Sequence, residues 1–187
     1  ETQIPKVFLD TSSLVAPDEL NGDLLLMESR TSVRRITSHL LEQGRTLPGF
    51  IGDISYAQSN RERYEGFCQA LTDAGKKVDS SLCLTTPLGI DTYREEIDTF
   101  LSSLSRMPDA FVCASDYVAC ILMQLLEKRG LRVPEDVAVS GFDNNTEDLL
   151  AEHLTTVQVF NEELGARLAL QILYRIKHPN TPHEVTY

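Results

Sequence analysis

The sequence predicts an α/β fold built on parallel sheets flanked by helices. Short apolar runs of strand length alternate with longer stretches whose apolar residues recur at helical spacing. Glycine or a polar residue closes most of these elements. Successive strand candidates lie ~30 residues apart, the length of a strand–helix–strand unit. The crossovers are expected to be right-handed.

Ile4 to Leu9 is a short apolar run with Pro5 near its start and reads as a strand. Thr11 to Asp23 reads as loop. Thr31 to Gln43 carries Val33, Ile36, Leu40 and Leu41 on one helical face, and Gly44 stops it. Phe50 and Ile51 form the next strand. Ser59 to Glu62 has the spacing of a capping box, opening a helix with Tyr64, Phe67, Cys68 and Leu71 inward until Gly75. Val78 to Leu84 is a strand candidate. Thr92 to Glu95 is a second capping box, before a helix with Tyr93, Ile97, Leu101 and Leu104 inward. Ala110 to Ala114 is a buried strand, and Val118 to Lys128 a strong helix ending at Gly130. Val137 to Val139 is a strand stopped by Ser140-Gly141. Thr155 to Val159 is β-branched and strand-like. Asn161 caps the last helix, whose inner face is Leu164, Leu168, Ile172 and Ile176. The tail from His178 reads as loop.

Composition narrows the function. The 187 residues carry a formal net charge of −11. A duplex-binding surface needs clustered Lys and Arg, and the densest pairs here, Arg34-Arg35 and Lys76-Lys77, have acidic neighbours. This segment is therefore not expected to hold DNA itself. Cys68, Cys83, Cys113 and Cys120 form no C-x-x-C pair, and the histidines show no ligand spacing. They read as free thiols of a cytoplasmic protein, with no metal and no cofactor. No apolar run approaches the ~18 residues of a membrane span, and no secretory signal is read.

In an open parallel sheet, ligands sit beyond the carboxyl ends of the strands. The residues there are Asp53, Ser115-Asp116 and Asp143-Asn144-Asn145. These side chains suit a small hydrogen-bonding ligand such as a polyol, or serve as helix caps. Phosphate-binding loops, a nucleophile elbow and zinc-protease motifs are absent, so no catalytic residue is assigned and no enzyme is expected.

From Ile4 onward, the order of motifs resembles the effector-binding region of LacI/GalR transcriptional regulators. Ile4-Pro5-Lys6-Val7-Phe8-Leu9-Asp10 is similar to the family's first strand, and His39-Leu40-Leu41-x-x-Gly44 and Phe50-Ile51-Gly52 follow in order. Arg63-x-x-Gly66-Phe67-x-x-Ala70-Leu71, Ala114-Ser115-Asp116-x-x-Ala119 and Leu154-Thr155-Thr156-Val157 also match. The longest match runs from Gly130 through Val133-Pro134-Glu135-Asp136 to Asn144. Several positions depart from the pattern. Glu28-Ser29 stands where Asp-Asn is common, Phe160 where an acidic residue is usual, and no aromatic occurs at Thr86 to Leu88.

The resemblance implies a periplasmic-binding-protein-like fold of type I, with the first lobe incomplete. It places a partial first lobe at 1–47, the second lobe at 48–153, and a crossover strand with a shared C-terminal helix at 154–187. It makes Arg63 the guanidinium that grips the effector and Asp143 the carboxylate facing it. Ser115 stands where the family usually has Asn. Ser59 is either a hydroxyl contact or the helix cap. The resemblance also implies a homodimeric repressor that binds operator DNA through an N-terminal helix-turn-helix not in this chain. Its effector would be a sugar or related metabolite. Leu122, Met123 and Leu126 are dimer-seam candidates or core. The alternative is a periplasmic sugar-binding protein of a transport system.

Overall fold

The computed structural model describes residues 4–144 and 154–187. It contains two parallel sheets. The first has three strands, β1 (Val7–Leu9), β2 (Asp23–Leu25) and β7 (Val185–Thr186), in the order β1-β2-β7. The second has four, β3 (Pro48–Ile51), β4 (Cys83–Leu84), β5 (Ala110–Cys113) and β6 (Ala138–Ser140), in the order β4-β3-β5-β6. Among the described residues five α-helices accompany them: α1 (Arg30–Glu42), α2 (Gln58–Asp73), α3 (Tyr93–Ser103), α4 (Asp116–Lys128) and α5 (Asn161–Lys177).

The second sheet is covered on both faces, because strand side chains alternate. Phe111, Cys113 and Val139 pack with Ile97 and Leu101 of α3 and Leu122 and Leu126 of α4. Phe50, Val112 and Ala138 pack with Val33 and Leu40 of α1 and Phe67 and Leu71 of α2. The apolar face of α1 packs on α2 and on the second sheet. Glu28 starts α1 by accepting from the backbone N–H of Thr31 and of Ser32 (3.1 Å), so its carboxylate caps the helix at that departure from the family pattern.

α1 and α2 approach closely at Gly66. A Cβ there would stand 2.2 Å from the Arg30 carbonyl oxygen, which belongs to backbone and yields little. Gly66→Ala is expected to cost about 1–3 kcal/mol, read as a lower urea midpoint. Gly165 in α5 meets nothing within 4 Å, so Gly165→Ala is expected to raise the midpoint by the equivalent of about 0.5–1 kcal/mol.

The dimer-seam alternative for α4 gives way to the core one. Leu122 and Leu126 are fully buried, and Met123 packs against the same cluster. Of the four cysteines, Cys113 and Cys120 are buried and Cys68 and Cys83 half-buried.

The first sheet rests on α5 and on one buried ion pair. Asp23, at the start of β2, accepts from Arg175 Nε (3.0 Å) and Nη2, from Gln171 Nε2 (2.6 Å) and from the Glu184 backbone N–H (3.0 Å). Leu170, Leu173 and Ile176 of α5 are exposed, so Ile176 does not join the inner face expected for it.

Several local expectations are corrected. The Ser59–Glu62 box does not form, because α2 begins two residues earlier, after Ala57, and the Ser59 hydroxyl bonds elsewhere. The Thr92 hydroxyl donates to Glu96 rather than capping α3. Asn161 is the first residue of α5, and Phe160 holds the cap position. Of Val78 to Leu84, only Cys83–Leu84 is strand, preceded by a 3-10 turn at Ser80–Leu82. The 155–159 segment pairs through single bridges at Thr155 and Gln158.

Candidate functional site

The residues singled out in the sequence lie where strands β3, β5 and β6 end and helices α2 and α4 begin. Arg63 is on the first turns of α2, and its side chain is only 6% exposed. One terminal nitrogen donates to the Ala114 carbonyl just beyond β5. The guanidinium lies over the Phe142 ring, 3.7 Å from its centroid, so an aromatic face supports the cation. The other terminal nitrogen points to Asp143 Oδ1 at 3.8 Å. That gap is longer than a hydrogen bond, so both groups keep capacity for a third partner. Arg63 Nε is buried with no hydrogen-bond partner among the described residues.

The loop after β6 aims Asp143. Gly141 lies against α4, where a Cβ would stand 2.2 Å from Asp116 Oδ1. The Phe142 carbonyl accepts from the first N–H of α4, at Asp116 (2.8 Å). Asp143 then pairs with the returning segment: its N–H donates to Val157 O (3.0 Å), and its carbonyl accepts from Val159 N (3.3 Å). Its φ is +116°, and that of Asn144 is +51°. Non-glycine residues rarely hold such angles, and they concentrate where side chains must be aimed at a ligand.

The third non-glycine residue with positive φ is Asp10 (+62°), at the end of β1. Its carboxylate crosses to the second sheet's helix. Oδ2 accepts from Ser59 Oγ (2.5 Å), and Oδ1 from the N–H of Thr11 (2.7 Å) and of Ser59 (3.4 Å). Gln58 N also donates to Thr11 O (2.7 Å), and Ser13 Oγ to Ser55 O (3.2 Å). The loop after β1 is thus fastened to the start of α2.

Ser115 is the cap of α4, accepting from Val118 N (3.3 Å). Asp116 accepts from Thr156 Oγ1 (2.6 Å). Asp53 is taken up by its own turn, accepting from Ser55 N and Oγ, Tyr56 N and Leu88 N. Asn145 lies outside the described residues. The sequence reading missed Asp10 and Phe142. The strand-end rule that pointed to Asp143 applies equally to Asp10.

Burial pulls the Arg63 guanidinium below its usual value, while Asp143, Asp10, Asp116 and Glu62 push it back. Burial pushes Asp143 up to about 6; Arg63 restrains the rise and Asp116 adds to it. The ordinary carboxylate value is about 4, so Asp143 holds its proton more tightly folded than unfolded. By linkage, its contribution favours the fold at low pH and is lost as pH rises from about 4 to about 6. Asp143→Asn is expected to remove that decline, seen by comparing urea unfolding of both proteins across this window.

A hollow of about 580 Å³ opens beside Phe142, lined also by Leu25, Val157, Phe160, Arg167 and Tyr187. Arg63, Asp143, Ser115 and Ser59 are not among its lining residues.

Residues 37–187 match the family described as a periplasmic binding protein-like domain. The chain belongs to that family. A periplasmic binding protein-like domain is what the motif order implied, and the likeness to LacI-type regulators holds. The chain is 29% identical over 184 residues to the HTH-type transcriptional repressor PurR of Actinobacillus pleuropneumoniae, covering 98% of this chain and 53% of that protein. A LacI-family regulator of Sanguibacter keddieii superposes with a TM-score of 0.80 at 26% identity, over 97% of this chain and 67% of that one. The regulator CelR, in complex with cellobiose, superposes at 0.82 and 26%, over 96% and 54%. The chain spans about half the length of the curated relatives it matches. Among the described residues no helix is long and apolar enough to cross a membrane.

Proposed function

We propose that this chain is the effector-sensing part of a cytoplasmic LacI/GalR-type repressor, and that it performs no reaction on what it binds. The effector is a small sugar or related polyol, held between the Asp10 loop and the Arg63–Asp143 pair. One observation carries this reading: a buried guanidinium and a carboxylate face each other across 3.8 Å. A hydroxyl between them accepts from the guanidinium and donates to the carboxylate. Ser59, on the Asp10 carboxylate, and Ser115, at the start of α4, bring further hydroxyls to these strand ends. The cellobiose bound by CelR supports a sugar-like ligand.

In the intact protein, closure around the effector shifts a population between operator-competent and incompetent geometries of a homodimer. The DNA contact belongs to a helix-turn-helix outside this chain. The exposed apolar residues of α5 are the surface that further first-lobe structure would cover. The transport-protein reading shares the fold, but the regulator names of the relatives favour a repressor.

Thermal melts of the folded chain with a panel of neutral sugars test this. A sugar at ~100 times its Kd is expected to add about 2.7 kcal/mol. For a chain of this size that raises Tm by about 5–10 °C. A flat response to every sugar would remove the reading.

A further inference from the structure

We propose that the effector of this domain carries no negative charge: the cleft accepts an uncharged polyhydroxylated molecule and rejects its phosphorylated or carboxylated counterpart. This rests on the reading of the Arg63–Asp143 cleft given above and adds the charge class of its ligand.

An anion is held in a protein by a cation or by the unpaired N–H groups at a helix start. Three such places meet here, and the chain's own groups already answer each of them. The Arg63 guanidinium faces Asp143 at 3.8 Å. The start of α2 faces Asp10, which accepts from the Ser59 hydroxyl at 2.5 Å and the Ser59 N–H at 3.4 Å. At the start of α4, the Asp116 N–H is bonded to Phe142 O, Ser115 accepts from Val118 N, and Asp116 adds a carboxylate of its own. Asp10 and Asp143 hold these posts with backbone angles of +62° and +116°, which side-chain-bearing residues seldom adopt.

The charge balance points the same way. The fields of Asp143, Asp10, Asp116 and Glu62 all act on Arg63. Arg61 lies two residues away, on a different face of α2, and reaches Ser13 Oγ (3.3 Å). A phosphate brought beside Arg63 would add negative charge where the fields of Asp143, Asp10, Asp116 and Glu62 already act.

The hydrogen-bond inventory says what does fit. Arg63 can only donate, and a carboxylate can only accept. A group placed between them must do both, as a hydroxyl can and a phosphate dianion cannot.

The test is calorimetric titration of the whole chain with matched pairs: D-ribose against ribose 5-phosphate, and D-glucose against glucose 6-phosphate, with cellobiose as an additional neutral sugar. At least one neutral sugar is expected to bind, with a phosphorylated counterpart at least about a hundredfold weaker. Asp10→Asn is expected to narrow that ratio, with circular dichroism showing the variant folded. If a phosphorylated sugar binds as tightly as its parent or tighter, and Arg63→Ala abolishes this, the inference falls and the cleft reading stands. If no member of either series binds the folded chain, both fall.

Discussion

In the Arg63→Ala variant the sugar-dependent rise in Tm is expected to vanish, and Asp143→Ala is expected to lose it as well. Each variant removes one of the two charged groups that the ligand hydroxyl would bridge, and losing a hydrogen bond to a charged group costs about 1.5–3 kcal/mol. The two variants differ in their own stability. Arg63 also satisfies the Ala114 carbonyl and lies on Phe142, so its truncation is expected to cost about 1–3 kcal/mol of folding free energy through the orphaned buried acceptor. Asp143 is half-buried, with a side chain 40% exposed and no hydrogen bond to Arg63, and its loss is expected to change the fold little. Arg63→Lys is expected to fail like Arg63→Ala, because an ammonium cannot reach Ala114 O and the ligand together from one planar fork. Calorimetric titration beside urea unfolding separates the binding losses from the folding losses. Ligand binding unchanged in both alanine variants would take these residues out of the site.

Arg175→Met is expected to destabilise the chain by about 3–5 kcal/mol, because it leaves the Asp23 carboxylate charged, buried and short of its chief partner. The two side chains are 4% and 2% exposed. Arg175 also donates to Thr181 O (2.6 Å), Thr181 Oγ1 (2.8 Å) and Pro182 O (3.0 Å), so it fixes the turn that delivers β7 to β2. The amides of Leu24 and Leu26, which donate to Glu184 O and Thr186 O, should lose protection from hydrogen exchange first. Burial pushes Asp23 up, but hydrogen bonds from Arg175, Gln171 and the Glu184 N–H outweigh it and hold the carboxyl below its ordinary value. A depressed folded value contributes stability above the unfolded value of about 4, lost as pH falls through the folded one. Arg175→Met should therefore flatten the acid limb of the stability curve. Adding Asp23→Leu should recover part of the loss, since an apolar pair leaves no buried charge.

The second sheet was largely legible because its strands are apolar runs buried on both faces, and its helices carry one apolar stripe each. β2 escaped notice because it is three residues long and opens with Asp23, whose partner lies 152 residues away. β7 is two residues long and exposed along both, so its one apolar residue, Val185, makes no run. The Ser59 box failed for a related reason. Its spacing is right, yet a carboxylate from a distant strand end takes the hydroxyl. Local patterns cannot register a competitor brought in by tertiary structure.

The candidate site was legible in part. Strand-end logic pointed to Asp143, and the motif resemblance pointed to Arg63. Neither named Phe142, which sits inside the matched segment as an apparent core residue while its ring face carries the guanidinium. Asp10 looked like the last letter of a strand motif. Only its left-handed backbone and its bond to Ser59 reveal it as the link between the two sheets.

The most direct measurement is a crystal structure of the chain with a sugar that raises its Tm. The account predicts ring hydroxyls bridging the Arg63 guanidinium and the Asp143 carboxylate, with Phe142 still beneath Arg63. A sugar seated instead in the hollow between Phe160 and Arg167, with Arg63 and Asp143 unmoved and untouched, would contradict it.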